Sequence, residues 1–184
     1  MLASASRSIL AVVDLQPSFL NGIVGGTGAL ARSTFLVECA RLLEVPIVAT
    51  EQYPMRMGGT EEALAAILDA SGSPRIGKLR FACAGCEAFD EVLDASGRKQ
   101  VVLCGIETHI CVTQTALLLR ERGFDVLVAA DAVAARSVLA HDIGLARMRQ
   151  SGVQITHTES VVYEWMQTAN HERFRDVLKL VKGG

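Results

Sequence analysis

The stretch VVLCGIETHICVTQTALLLRERGFDVLVAA, residues 101–130, decides the fold because it contains a strand, a helix and a second strand in succession. Residues 101–105 form an apolar, β-branched run that is typical of a buried strand, and residues 109–122 follow with helical spacing. Gly123 can end that helix in the left-handed conformation, and residues 124–130 form a second apolar run. Two strands joined through a helix are predicted to lie parallel in one sheet.

The same alternation of short apolar runs and longer helical patterns extends along the chain in both directions. Six strands are predicted, at residues 8–14, 46–50, 75–78, 101–105, 124–130 and 153–156. Helices are predicted at residues 28–44, 60–70, 86–96, 109–122, 138–150, 158–166 and 171–181. The pattern predicts one α/β domain over residues 1–184, a Rossmann-like three-layer sandwich with helices on both faces of a mostly parallel six-stranded sheet.

Composition argues against several classes of protein. The 184 residues are 50% hydrophobic and 21% charged with a formal net charge of −2, and no basic run is present, so a nucleic-acid partner is not expected. The apolar stretches are too short to cross a bilayer, and the N-terminal residues lack the pattern of a signal peptide. Five cysteines, an odd number, favour reduced thiols in the cytoplasm over a disulfide framework.

Three reactive residues follow predicted strands. Asp14 and Lys78 end the first and third strands, and Cys111 begins the helix after the fourth. Ligands of open parallel sheets bind beyond the carboxyl ends of the strands, so these side chains are predicted to meet there. A helix start and a nearby lysine are expected to lower the pKa of the cysteine. A carboxylate can accept the thiol proton and return it to a leaving group.

The same residues lie in segments that resemble the isochorismatase-like cysteine hydrolases, a family that includes nicotinamidases and N-carbamoylsarcosine amidohydrolases. The resemblance rests on residues 11–20 (AVVDLQPSFL), 75–85 (RIGKLRFACAG), 103–126 (LCGIETHICVTQTALLLRERGFDV) and 131–137 (DAVAARS). The segments TEQYP, KLRFAC and LARMRQSG resemble the branch of isochorismatase domain-containing proteins. The resemblance therefore implies a hydrolase that acts on a small molecule.

The resemblance also implies roles for particular residues. Asp14, Lys78 and Cys111 correspond to the catalytic triad, and the bond cleaved is expected to be an amide or a related C–N bond. A cis peptide bond is implied between Ile106 and Glu107, and the backbone N–H groups of Glu107 and Cys111 are expected to hold the oxyanion.

No cofactor and no catalytic metal are predicted. Nicotinamidases carry an Asp-x-His pair after the second strand, but this chain has Glu51, Gln52 and Tyr53 there and no histidine before His109. First-row metals prefer imidazole or thiolate ligands in such a site. The Cys83-x-x-Cys86 pair has no second pair with which to bind zinc and is predicted to pack around the loop after the third strand.

The pocket and the assembly are predicted more coarsely. Pocket residues are predicted to be Gln16, Phe19, Tyr53, Phe81 and Thr108. Arg136, after the fifth strand, can face the site or a neighbouring subunit, and a structural role is favoured for it. The family commonly assembles, so a homo-oligomer is expected, with an interface that contains Leu145, Met148 and residues 161–166.

A second class of function stays open from the sequence. The chain can also be a catalytically idle or weakly active binding or scaffold protein that retains the fold. A Cys111 pKa near that of free cysteine would favour this alternative.

Overall fold

The protein, in a computed structural model that describes residues 1–183, is built around one sheet of six parallel strands. The strands are β1 (Ser8–Val13), β2 (Ile47–Gln52), β3 (Arg75–Lys78), β4 (Gln100–Ile106), β5 (Asp125–Ala134) and β6 (Gln154–Thr156). They lie in the order β3-β2-β1-β4-β5-β6, and every neighbouring pair is parallel. The predicted α/β class is confirmed, and the described sheet is parallel throughout.

Nine α-helices and one π-helical turn surround the sheet within the described residues. The helices are α1 (Pro17–Leu20), α2 (Gly26–Leu42), α3 (Pro54–Met57), α4 (Glu62–Ala70), α5 (Glu87–Ser96), α6 (Thr113–Glu121), α7 (Val138–Gln150), α8 (Thr158–Met166) and α9 (Phe174–Gly183). The π-helical turn covers Thr108–Val112 and leads directly into α6. The two short helices α1 and α3 were not predicted, since four residues show no periodicity.

Several boundaries differ from the predicted ones for local reasons. Helix α2 begins at Gly26, two residues before the predicted start, and ends at Leu42. Helix α4 begins at Glu62 because the Glu61 side chain accepts a hydrogen bond from the N–H of Leu64 at 3.0 Å. Thr60, the first residue of the predicted helix, donates to Glu51 instead.

The core has two halves, one on each face of the sheet. Alternate residues of β1 divide between them, because successive side chains of a strand point to opposite faces. Leu10 and Val12 pack with residues of α2, α8 and α9, whereas Ile9, Ala11 and Val13 pack with residues of α5, α6 and α7. All six residues of β1 are buried, as expected for a strand covered on both sides.

The strand order changes direction between β1 and β4. Two of the reactive residues lie at this position. The chain runs outward from β1 to β2 and β3 on one side and from β4 to β5 and β6 on the other. A crevice forms where the two directions diverge, beyond the carboxyl ends of the strands. Asp14 follows β1 and Cys111 follows β4, so the two flank this crevice.

Most of the predicted interface residues lie in the interior. Met148, Val161, Val162, Trp165 and Met166 are buried in the two core halves, so the prediction was wrong for these five, whereas Tyr163 is 42% exposed. The helical pattern showed an apolar face but not which surface covers it. Within residues 1–183, no helix has the length and apolar character to cross a membrane.

Candidate active site

Asp14 lies immediately after β1 in a left-handed backbone conformation, with φ of 52°. Such a conformation is uncommon for a residue with a side chain and is tolerated where the surroundings hold it. The carboxylate is 2% exposed. Its Oδ1 accepts a hydrogen bond from Thr50 Oγ1 at 2.8 Å, and its Oδ2 accepts one from Lys78 Nζ at 2.7 Å. Both carboxylate oxygens therefore have fixed partners.

Lys78, the last residue of β3, is 4% exposed and has four acceptors around its ammonium. Besides Asp14, these are Gln52 Oε1 at 2.7 Å and the carbonyl oxygens of Arg80 and Phe81 at 3.2 and 3.0 Å. A buried charge is tolerated only when it is paired and hydrogen-bonded, and Lys78 meets both conditions. The Asp14–Lys78 pair has no net charge.

Cys111 lies in the π-helical turn rather than in the first turn of an α-helix as predicted. The thiol-bearing residue is 7% exposed, and its carbonyl oxygen accepts a hydrogen bond from Thr115 Oγ1 at 2.6 Å. Thr115 Oγ1 in turn accepts the N–H of Cys83 at 2.9 Å, which ties this turn to the loop after β3. The peptide bond between Ile106 and Glu107 is cis.

The predicted lowering of the Cys111 pKa was wrong. Burial is the largest cause of a strongly raised pKa, and the negative charge of Asp14 adds to it. The charge of Lys78 acts in the opposite direction without overcoming these two effects. The raised pKa favours the protonated thiol, beside the carboxylate of Asp14 that contributes to the shift.

A cavity of about 130 Å³ opens beside Cys111. Its lining residues are Asp14, Phe19, Gln52, Phe81, Ile106, Glu107, Ile110, Cys111 and Arg136. Phe19 and Phe81 were predicted from sequence as pocket residues, whereas Gln52, Ile110 and Arg136 were not. The signal for Gln52 was available, since it stands at the family's metal position.

Gln16 does not line this cavity, in contrast to the prediction. Gln16 is fully buried. Its Oε1 accepts a hydrogen bond from the backbone N–H of Gln52 at 2.6 Å, and its Nε2 donates one to the backbone carbonyl oxygen of Gln52 at 3.1 Å. The same amide donates to the carbonyl oxygen of Gly58 at 2.6 Å. Gln16 therefore fixes the backbone of Gln52, and the side chain of Gln52 contacts Lys78.

Tyr53 and Thr108 also lie outside the cavity lining. Tyr53 is 39% exposed, and the guanidinium of Arg56 lies over its ring. Thr108 is fully buried, with its Oγ1 at 3.0 Å from His141 Nδ1. Both residues adjoin the site in sequence, but the backbone directs their side chains elsewhere.

The residues at the family's metal position have protein partners. Glu51 Oε1 accepts hydrogen bonds from the N–H and Oγ1 of Thr60, both at 2.8 Å. Gln52 bonds Lys78 and the carbonyl oxygen of Leu79. Across residues 1–183, no cluster of three or more His, Cys, Asp or Glu residues has the arrangement of a metal site.

Fold and site together define a doubly wound α/β protein with a cysteine and a buried carboxylate–ammonium pair at its switch point. The profile of the Isochorismatase domain matches residues 8–160. The chain belongs to the isochorismatase domain family and has its hydrolase fold, which confirms the resemblance seen in the sequence.

Relatives of known name support this assignment over the full chain. Isochorismatase domain-containing protein 2A of Mus musculus is 38% identical over 176 residues, which are 95% of this chain and 82% of the mouse protein. The solved structure of a Caenorhabditis elegans protein described as MAR1 ribonuclease is 32% identical, with a TM-score of 0.94 over 99% of this chain and 93% of that one. The Escherichia coli YcaC gene product, described as an octameric hydrolase of unknown specificity, shares the fold, with 22% identity and a TM-score of 0.86 over 100% and 96% of the two chains.

Proposed function

We propose that the protein, as a single domain, is a metal-independent cysteine hydrolase that cleaves an amide or related C–N bond of a small molecule. The observation that supports this best is the placement of Cys111 and Asp14 on one cavity wall, with Lys78 Nζ 2.7 Å from the Asp14 carboxylate. Nucleophile, base and balancing charge come from three different strand ends, and a buried ion pair is costly to maintain without a use.

The proposed reaction moves one proton between Cys111 and Asp14. The thiol sulfur attacks the carbonyl carbon while Asp14 accepts the thiol proton. The backbone N–H groups of Glu107 and Cys111 stabilise the oxyanion. When the C–N bond breaks, Asp14 returns the proton to the leaving nitrogen. A water molecule, deprotonated by Asp14, then attacks the thioester; the acid leaves, and the proton returns to the Cys111 sulfur.

The raised pKa of Cys111 gives each partner a defined part in this reaction. A preformed thiolate is disfavoured by burial and by Asp14. Attack must therefore be coupled to transfer of the thiol proton. Lys78 fixes the carboxylate by its 2.7 Å hydrogen bond and offsets the negative charge that the buried site carries during the reaction.

The ribonuclease activity named for the C. elegans relative finds little support in this chain. Binding of a nucleic-acid backbone requires a cluster of basic side chains. This chain has a net charge of −2 and no basic run, and the cavity at Cys111 has a volume of only about 130 Å³.

The test is a hydrolysis screen of small amides and ureas that detects released ammonia or acid. For any compound hydrolysed, Cys111→Ala is expected to lower the rate at least about a thousandfold, because it removes the nucleophile. Cys39→Ala, a buried cysteine on the other face of the sheet, is the matched control and is expected to keep most of the activity. A Cys111→Ala rate within a few-fold of wild type would contradict the covalent mechanism, and would favour a binding or scaffold protein.

We also propose that the protein is a homo-oligomer in the cytoplasm, with an interface other than the one the sequence suggested. Val138, Leu139 and Ile143 of α7 are 63%, 69% and 56% exposed, and Val24, which lines the same surface hollow as Val138, is 54% exposed. Adjacent exposed apolar side chains of this kind mark an interaction surface. The octameric assembly described for E. coli YcaC supports the proposal.

Light scattering tests this assembly. Leu139→Lys is expected to reduce the molar mass to a smaller species, because a charge would be buried in the contact. Met55→Lys is the control, since Met55 is 92% exposed and lies on α3. A wild-type mass of one chain, or a Leu139→Lys mass equal to that of wild type, would refute the proposed interface.

A further inference from the structure

Each charged side chain that lines the candidate active site is paired with an opposite charge. Asp14 is paired with the ammonium of Lys78, and both side chains are buried. Glu107 is paired with Arg136 at the other side of the same cavity. The remaining lining residues other than Cys111, namely Phe19, Gln52, Phe81, Ile106 and Ile110, carry no charge. The cavity therefore presents no unpaired cation to a ligand.

The pairing of Glu107 with Arg136 is specific. Arg136 Nε donates to Glu107 Oε2 at 3.0 Å, Arg136 Nη2 donates to Oε1, and the backbone N–H of Arg136 donates to Oε2 at 3.2 Å. One edge of the guanidinium is thus fully used, in the two-pronged geometry in which arginine binds a substrate carboxylate. Hydrogen bonding by Arg136 holds the pKa of Glu107 below its usual value, so Glu107 stays charged.

The walls of the cavity also disfavour an anion. Two phenylalanines and two isoleucines make up four of the nine lining residues, and an unpaired carboxylate is costly to move from water against such side chains. The volume of about 130 Å³ is well below the ~300–1,000 Å³ of pockets that hold drug-sized ligands. A small ligand with an uncharged body fits this lining.

We propose that the site selects small, uncharged substrates and that Glu107 is the specificity-determining residue, because its carboxylate occupies the Nε–Nη2 edge of Arg136, the arginine in the cavity lining. In the terms of the proposed function, on which this inference rests, the substrates are neutral amides or related neutral compounds. Removing the charge of Glu107 frees Arg136 and opens the site to anions.

Two alkylating reagents of nearly equal size test this selection directly at Cys111. Iodoacetamide is neutral and iodoacetate carries one negative charge, and peptide mapping by mass spectrometry measures the rate of each at Cys111. The ratio of the iodoacetate rate to the iodoacetamide rate is divided by the same ratio for N-acetylcysteine amide, a reference thiol without a charged group. This normalised ratio cancels the intrinsic reactivities of the reagents and the ionisation of Cys111. For the wild-type protein it is expected to lie at least about tenfold below one.

Variants of the Glu107–Arg136 ion pair are expected to change the normalised ratio in a defined order. Glu107→Gln is expected to raise the normalised ratio about tenfold, and added salt to reduce that gain, because the freed charge of Arg136 attracts the anion. Arg136→Gln is expected to lower the ratio below that of wild type, since Glu107 is then unpaired. The double variant is expected to return to the wild-type ratio, as in a double-mutant cycle.

The outcomes separate this inference from the proposed function. A wild-type ratio at or above one, or a Glu107→Gln ratio equal to that of wild type, overturns the charge selection even if amides are hydrolysed. A ratio that follows the predicted order supports it, whether or not the amide screen finds a substrate. Failure of the hydrolase proposal is read separately, from the Cys111→Ala control in that screen.

Discussion

Replacing Asp14 with asparagine is expected to reduce hydrolysis about a thousandfold and, at the same time, to make Cys111 easier to alkylate. The loss follows because the amide cannot accept the thiol proton or return it to the leaving nitrogen. The gain follows from the causes of the raised Cys111 pKa: the variant removes the charge of Asp14, which raises the pKa, and leaves that of Lys78, which lowers it. The thiolate fraction at a fixed pH therefore increases.

The two readings are made on the same preparation, with turnover of a compound from the screen and iodoacetamide labelling of Cys111 at one pH. Cys39 and Cys104, both fully buried, serve as internal controls, because labelling there would indicate unfolding. Asp94→Asn, at an exposed position of α5, is expected to change neither rate. If the Asp14→Asn protein labels more slowly than wild type, Asp14 does not raise the pKa of Cys111, and the coupled proton transfer loses its basis.

Replacing Gly105 with alanine is expected to cost about 3–5 kcal/mol of unfolding free energy, or to prevent folding. Gly105 lies in β4 opposite Val13 of β1 and has φ of 112°, a conformation that residues with a side chain rarely adopt. A Cβ atom at this position would lie 2.0 Å from the carbonyl oxygen of Val13. Neither strand can move away, because both are central in the sheet and covered by helices.

Urea unfolding followed by circular dichroism measures this loss, which is a large share of the ~5–15 kcal/mol that holds a typical domain folded. Gly97→Ala is the matched control. Gly97 also has a positive φ, of 64°, but a Cβ there meets no atom within 4 Å, so only the conformational cost of about 1–2 kcal/mol is expected. Equal losses for the two variants would show that the contact with Val13 is not the cause.

The substitution at Gly105 is also expected to displace residues of the candidate active site, because the backbone connects them directly. Asp14 directly follows Val13, and Ile106 and Glu107 directly follow Gly105. The close approach of the two strands therefore brings the carboxylate of Asp14 and the start of the Cys111 turn to the same crevice. If enough of the Gly105→Ala protein is expressed for assays, its loss of activity can be compared with its loss of stability.

Much of the fold follows from local sequence alone. The alternation of apolar runs and helical patterns predicted six strands, and all six are present with boundaries shifted by a few residues. Strand ends are local features, and parallel strands align their carboxyl ends at one edge of the sheet. The same reasoning predicted that Asp14, Lys78 and Cys111 come together, although the three residues are distant in sequence.

Tertiary structure alone decided the properties that depend on burial and on contacts between distant segments. The pKa of Cys111 is raised because packing removes water from the thiol, an effect that no spacing of residues reveals. The apolar face of α8 belongs to the core, and Gln16 supports a backbone segment, because neighbours brought in by the fold surround them. The pairing of Glu107 with Arg136 joins residues 29 positions apart and determines the charge that the cavity presents. Sequence thus determined which groups reach the site, and their surroundings in three dimensions decided the direction of the Cys111 pKa shift and the hydrogen-bond partners of these groups.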